Sequence, residues 1–277
     1  MALSAGAYRS HHELAVDSAR RSFHFGEGLP GRVWASRQAL LWKDLKGPFL
    51  RAELAAEAGI DGAVGFPLFD GTRVVAALTL LLTHHTESPS CLEVWNVEEE
   101  LGVLRYGSGY YAHVAEFERF SPYIQFQRGT GLPGLTWLSG QVQVMNDVRR
   151  SSSFIRAGLA ERCGLAHGVG IPIYHNRSLM QVLTLFCAEQ SSLISSVELY
   201  HPQGVELGAA TLFDWSGRSA SQGESVADAP GRKLAQAVLA SCAPALEQHK
   251  QGAEQQILLA LPIHDRKGLK QILVMRL

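Results

Sequence analysis

The sequence predicts an α+β protein made of repeated units, each a central antiparallel sheet with helices packed on one face. Three observations carry that expectation. A long segment occurs twice, at an offset of 103 residues that grows to 105 toward its end. Each copy closes with two apolar runs joined by a tight turn, the pattern of a β-hairpin. Ahead of each hairpin lies a short stretch whose apolar residues fall four apart, the spacing of one helix face.

The repeat is read residue by residue. Gly28-Leu29-Pro30-Gly31 returns as Gly131-Leu132-Pro133-Gly134, Trp34 and Ser36 as Trp137 and Ser139, and Asp44 as Asp147. Phe49-Leu50-Arg51-Ala52 returns as Phe154-Ile155-Arg156-Ala157, and Gly65-Phe66-Pro67-Leu68 as Gly170-Ile171-Pro172-Ile173. The two extra residues fit at 151–153. A third, degenerate copy matches at Leu261-Pro262-Ile263 and Leu273, and Glu198-Leu199-Tyr200 echoes Glu93-Val94-Trp95. The expected boundaries are 1–88 for a first copy without its opening hairpin, 89–191 for a second and most complete copy, and 192–277 for the third. The first copy is expected to borrow a strand from the third, Val197–Phe213 pairing near Phe23–Phe25.

In the second copy, Leu92–Val97 and Val103–Tyr111 read as a hairpin around Glu98–Glu100, and Tyr123–Gln127 as a further strand. Gly129–Gly134 reads as a sharp turn, because Gly supplies positive φ. Leu135–Leu138 reads as a short helix or turn and Val142–Met145 as a short strand. Ser153 then caps a helix that stops at Gly164, with Ile155, Leu159 and Cys163 on one face. His167–Tyr174 and Leu179–Ala188 form the closing hairpin across His175-Asn176-Arg177. The matching turn of the first copy is Asp70-Gly71.

The run Gly26-Glu27-Gly28-Leu29-Pro30-Gly31-Arg32-Val33-Trp34-Ala35-Ser36 resembles the GAF domain, particularly those of bacterial multidomain sensors. Trp42-x-Asp44, Phe49-x-Arg51-Ala52, Ala58-Gly59-Ile60 and Gly65-Phe66-Pro67-Leu68 follow in the same order. The second copy departs from the pattern at Thr130 and at Leu135-Thr136. The resemblance implies a sensory or regulatory module that holds a small ligand between sheet and helices, pairs as a homodimer and works with a signalling output protein. It names no cofactor; a haem held by His167 or His24 would be one form, and a bilin on a cysteine another.

Composition narrows the function. The 277 residues are 46% apolar and 18% charged, which excludes a disordered chain. With 25 basic against 26 acidic residues there is no excess charge to bind nucleic acid or an anionic membrane. The longest apolar run, Val74–Leu82, is far short of the roughly 20 residues a membrane helix needs. No secretory signal is visible and the four cysteines are widely spaced, so a cytoplasmic protein is expected. The histidine pairs His11-His12 and His84-His85 lack metal-site spacing.

The candidate ligand-binding residues are Trp137, Asp147, Phe154, Arg156, Cys163 and His167 in the second copy, and Trp34, Asp44, Phe49 and Arg51 in the first. Each Trp either floors a flat pocket or fills the core behind its turn. Each Arg begins a helix, where the macrodipole disfavours a cation. It therefore pairs with the Asp of its own copy or binds an anionic ligand through its planar fork. The second copy is the better candidate because it has all its parts. No catalytic set stands out, and the expected role is not enzymatic. The alternatives are a ligand-free dimerisation scaffold and a cysteine-based reductase of the methionine sulfoxide type, for which Cys163 and Cys187 form the plausible pair.

Overall fold

The computed structural model describes every residue except 10, 84–87, 177, 190–192, 217–221, 252–253 and 266. The His84-His85 pair and the turn residue Arg177 lie outside the described residues.

The first unit contains α1 (His12–Arg20), α2 (Gly28–Ser36), β1 (Leu40–Trp42), α3 (Ala52–Glu57), β2 (Gly62–Asp70) and β3 (Arg73–Leu82). Its sheet has the order β1-β2-β3. The second contains β4 (Ser90–Glu98), β5 (Val103–Ala112), α4 (Ala115–Phe120), β6 (Gln125–Gln127), α5 (Gly131–Ser139), β7 (Gln143–Met145), α6 (Ala157–Arg162), β8 (His167–His175) and β9 (Ser178–Cys187). The third contains β10 (Ser196–Tyr200), a small hairpin of β11 (Pro202–Gln203) and β12 (Glu206–Leu207), β13 (Ala210–Asp214), β14 (Gln222–Val226), α7 (Arg232–Ser241), β15 (Ala245–Gln251), β16 (Glu254–Asp265) and β17 (Gly268–Arg276). The second and third sheets run in matching orders, β6-β5-β4-β9-β8-β7 and β14-β13-β10-β17-β16-β15. The architecture is α+β, as the alternating patterns indicated.

The sheets do not leave their second faces to solvent. Val64, Phe66 and Leu68 of β2, Val169, Ile171 and Ile173 of β8, and Leu259, Leu261 and Ile263 of β16 belong to one buried cluster shared by all three units. Smaller clusters lie under the helices of each unit. The three prolines of these strands fit the same local geometry. The short neighbouring strands β1, β7 and β15 stop pairing at Gly65, Gly170 and Ala260, so Pro67, Pro172 and Pro262 lie two residues past the last rung. No donor is missed on that side.

Neighbouring units are also pinned by amides. The Gln181 side-chain oxygen accepts from the Ala39 backbone N–H at 2.7 Å, and that of Gln271 accepts from Val142 N–H at 2.9 Å. Ala39 and Val142 occupy the same place ahead of β1 and β7. The residue of β3 that matches Gln181 is Ala76, so the third such contact is missing.

Several sequence expectations are corrected. The opening hairpin of the third copy is not lent to the first: β10 pairs with β13 and β17 inside the third sheet. Its own closing strand satisfies it locally, and β3 pairs only with β2 among the described strands. Gly-Leu-Pro-Gly is not a turn before a helix but the first turn of α2 and α5 themselves. Gly28 and Gly131 open these helices at φ of +56° and +63°, which favours glycine. Ser153 caps nothing; its hydroxyl meets Ser151, and Arg156 is the residue that precedes α6. The predicted row on α6 holds for Leu159 and Cys163, which pack against the helix-side cluster, but not for Ile155. Ile155 is 56% exposed, whereas Phe154, Arg156 and Ala160 point inward.

Candidate functional site

Arg156 and Arg51 stand at the same place in their units, just before α6 and α3, and both are buried at 4% and 8% exposure. Their surroundings diverge. In the second unit the guanidinium meets Glu93 of β4 in a two-point ion pair, Nη1 to Oε1 at 2.9 Å and Nη2 to Oε2 at 2.8 Å. Glu93 also accepts from the hydroxyls of Ser121 (2.5 Å) and Tyr111 (3.1 Å) and from the Trp95 indole (3.1 Å). Phe117 lies 4.1 Å from the guanidinium carbon, with four more aromatic rings around it. Burial works against the Glu93 carboxylate, but Arg156 and the hydroxyl bonds outweigh it and hold its pKa below the usual value.

The first unit keeps this cradle without the acid. Ser18 matches Ser121: each hydroxyl bonds the carbonyl four residues back and accepts from the arginine. Leu14, Phe23 and Phe49 stand where Phe117, Phe126 and Phe154 stand, and Arg51 lies 5.0 Å over the Phe49 ring. Among the described residues, no carboxylate stands at Arg51 as Glu93 stands at Arg156. Arg51 makes no ion pair among the described residues. Asp17 feels its charge but is itself held by Arg21 at 2.5 and 3.1 Å. The serine was missed in the sequence, yet the offset of 103 extended backward would have found it, because Ser18 and Phe23 match Ser121 and Phe126.

A cavity of about 680 Å³ opens beside β3. The segment 1–9, the free edge of β3, the start of β4 and the last strands of the third unit form its walls, and Arg51 and Ser18 are part of its lining. In the third unit the acid survives and the arginine is lost. Glu198 accepts the Gly231 backbone N–H at 3.0 and 2.9 Å and the Tyr200 hydroxyl at 2.6 Å. The three units thus hold an acid with an arginine, an arginine alone, and an acid alone.

The remaining predicted residues do not touch the ion pair itself. The expected pairing of Asp147 with Arg156 and of Asp44 with Arg51 does not form. Asp147 grips Arg149 at 2.9 and 3.0 Å, and Asp44 accepts the Lys46 N–H at 2.9 Å, both holding local turns. Trp137 is buried with Trp95, Leu104 and Phe126, and Trp34 packs edge-on to Phe25 at 5.1 Å. Cys163 lies against the helix-side cluster and Cys187 on the opposite face of β9, so the pair proposed for a reductase does not meet. Burial raises the pKa of the Cys163 thiol, which disfavours the nucleophilic thiolate. Among the described residues no three metal-binding side chains cluster, and no helix is long and apolar enough to cross a membrane.

His167 is stacked on Trp215 of the third unit, with ring centroids 4.4 Å apart, and its Nδ1 faces the Asn146 carbonyl. Burial lowers its pKa below the usual histidine value. The unfolded chain therefore takes up this proton first as pH falls below about 6.5, and stability is lost through that window. His167→Phe, which keeps the stack, is expected to lose less stability than the parent chain between pH 7.5 and 5.5 in urea unfolding. Equal losses would show that His167 does not contribute to the acid sensitivity.

The fold resembles that of known structures. The chain is similar to GAF domains. No family model matches the sequence and no curated protein does. Among solved structures, the GAF domain of A. aeolicus nlh2 is 21% identical, covers 36% of this chain and 57% of its own, and has a TM-score of 0.29. The GAF domain of an Acinetobacter phosphoenolpyruvate-protein phosphotransferase is 14% identical over 35% and 52%, with a TM-score of 0.27. Free methionine-R-sulfoxide reductase of Neisseria meningitidis, in complex with its substrate, is 14% identical over 35% and 51%, with a TM-score of 0.28. The match spans about half the length of these GAF-like chains. Ligand chemistry does not travel with such a likeness, since sites are grafted on folds.

Proposed function

We propose that this chain is a sensory or regulatory binding module that takes a small molecule in the cavity beside β3. One observation carries the reading: a buried arginine, without a carboxylate partner among the described residues, on the wall of a cavity of about 680 Å³. That volume falls within the roughly 300–1,000 Å³ typical of small-molecule sites. A charge left unpaired out of water is costly, and an occupant that supplies the partner relieves the cost. The second unit, favoured by its completeness, is the weaker candidate because Glu93 already fills its arginine.

Occupancy would reach the rest of the molecule through the residues of the wall. Leu259 and Met275 belong both to the cavity lining and to the cluster shared by the three sheets. A homodimer and a signalling partner are part of this proposal, with the dimer formed away from β3. Native mass spectrometry of the full chain purified from its own host is the test. Added mass that leaves on denaturation is the expected result. A bare chain that gains no thermal stability with any compound of a metabolite panel would overturn it in favour of a ligand-free scaffold.

A further inference from the structure

Among the described residues the two arginine sites differ by one chemical group, a carboxylate. In the second unit the cradle of arginine, serine hydroxyl and aromatic rings is completed by a carboxylate carried on β4. In the first unit the arginine, the serine and Phe49 are retained around an opening. The lining carries Arg51 and Arg9 and, among the described residues, no aspartate or glutamate. Away from Arg51 the wall is mostly apolar, with Leu80, Leu82, Leu185, Ile257 and Leu259, and carries the hydroxyls of Thr79 and Ser90 among them.

We propose that the occupant is an aliphatic monocarboxylate. Its carboxylate sits on Arg51 and Ser18 where Glu93 sits on Arg156 and Ser121, and its chain runs along β3 among the aliphatic side chains. This inference rests on the reading of the cavity as a ligand site and adds the ligand's class. The carboxylate regains the charge-assisted, two-point contact that water would otherwise supply to the guanidinium. The chain removes apolar surface from water at both partners. A donated strand bearing a Glu would satisfy the same arginine, but the segment 1–9 already forms one wall of the space and the volume suits a small molecule.

Dodecanoate and dodecanol, titrated calorimetrically into the full chain, separate head from tail. Dodecanoate is expected to bind at least about tenfold more tightly, the order a charged hydrogen-bonded contact provides. Arg51→Met should bring dodecanoate down to the affinity of dodecanol and leave dodecanol unchanged. Equal binding of acid and alcohol by the parent chain would overturn the carboxylate assignment while leaving a cavity that takes small molecules. Binding of neither, with a dimer whose β3 amides are protected from hydrogen exchange, would overturn both and put a second copy there. Acid against alcohol on the parent chain distinguishes these outcomes even where the substitution alters folding.

Discussion

Arg156→Met is expected to lower the unfolding free energy by about 3–5 kcal/mol, whereas Arg51→Met costs far less or stabilises. The arginines occupy matched positions, so helix propensity and the loss of a long side chain nearly cancel between them. What differs is the residue left behind. Without Arg156, the Glu93 carboxylate stays at 0% side-chain exposure with only hydroxyl and indole donors. It must then either remain charged in an apolar surround or take a proton, and both cost folding free energy. Without Arg51 no buried acid is stranded, and the unpaired charge itself is gone. Urea unfolding of the parent, both single variants and the pair Glu93→Leu with Arg156→Met tests this directly. The pair should recover much of the loss, because replacing a buried ion pair by apolar groups is often neutral or better. Equal losses for Arg51→Met and Arg156→Met would mean that the acid in β4 is not what distinguishes the two sites.

The same comparison shows what the sequence could and could not reveal. Strands announce themselves by local pattern: Val74–Leu82 and Leu179–Cys187 are apolar and β-rich beside a tight turn, and both are strands of the closing hairpins. Buried partners across long separations leave no such trace. Glu93 and Arg156 are 63 residues apart, so a reading based on neighbours paired the arginine with Asp147 instead. The aspartates are better served by their own loops, where an N–H two residues on is always within reach. The row Ile155, Leu159 and Cys163 failed at its first member for a related reason. Four-residue spacing marks a helix face only inside the helix, and Ile155 lies before α6 starts. The absence of a β4 counterpart in the first copy was visible as a gap in the repeat. That Arg51 keeps its serine on the wall of a cavity needed the third dimension.

Gly134→Ala is expected to destabilise by about 1–3 kcal/mol, and Gly158→Ala to stabilise by roughly 0.5–1 kcal/mol. Both glycines lie in the first turn of a helix and neither adopts positive φ, so backbone freedom does not separate them. Space does. A Cβ at Gly134 would stand 2.2 Å from the Gln127 carbonyl oxygen, while one at Gly158 would meet nothing closer than Arg162 at 3.9 Å. The second glycine of Gly-Leu-Pro-Gly is thus required because the helix start is laced onto the preceding strand. Gly129 N–H donates to the Gly134 carbonyl at 2.8 Å, and Gly26 N–H to that of Gly31 at 2.9 Å. A methyl group cannot enter without pulling these bonds apart. In the first unit the same contact is 2.1 Å, to the His24 carbonyl. Pro30, beside Gly31, lines the cavity. Gly31→Ala should therefore lower both the thermal midpoint and the affinity for dodecanoate, whereas Gly134→Ala should lower the midpoint alone. Thermal melts with calorimetric titration check both, and loss of affinity in Gly134→Ala at a temperature where it stays folded would disconnect the cavity from the turn that walls it.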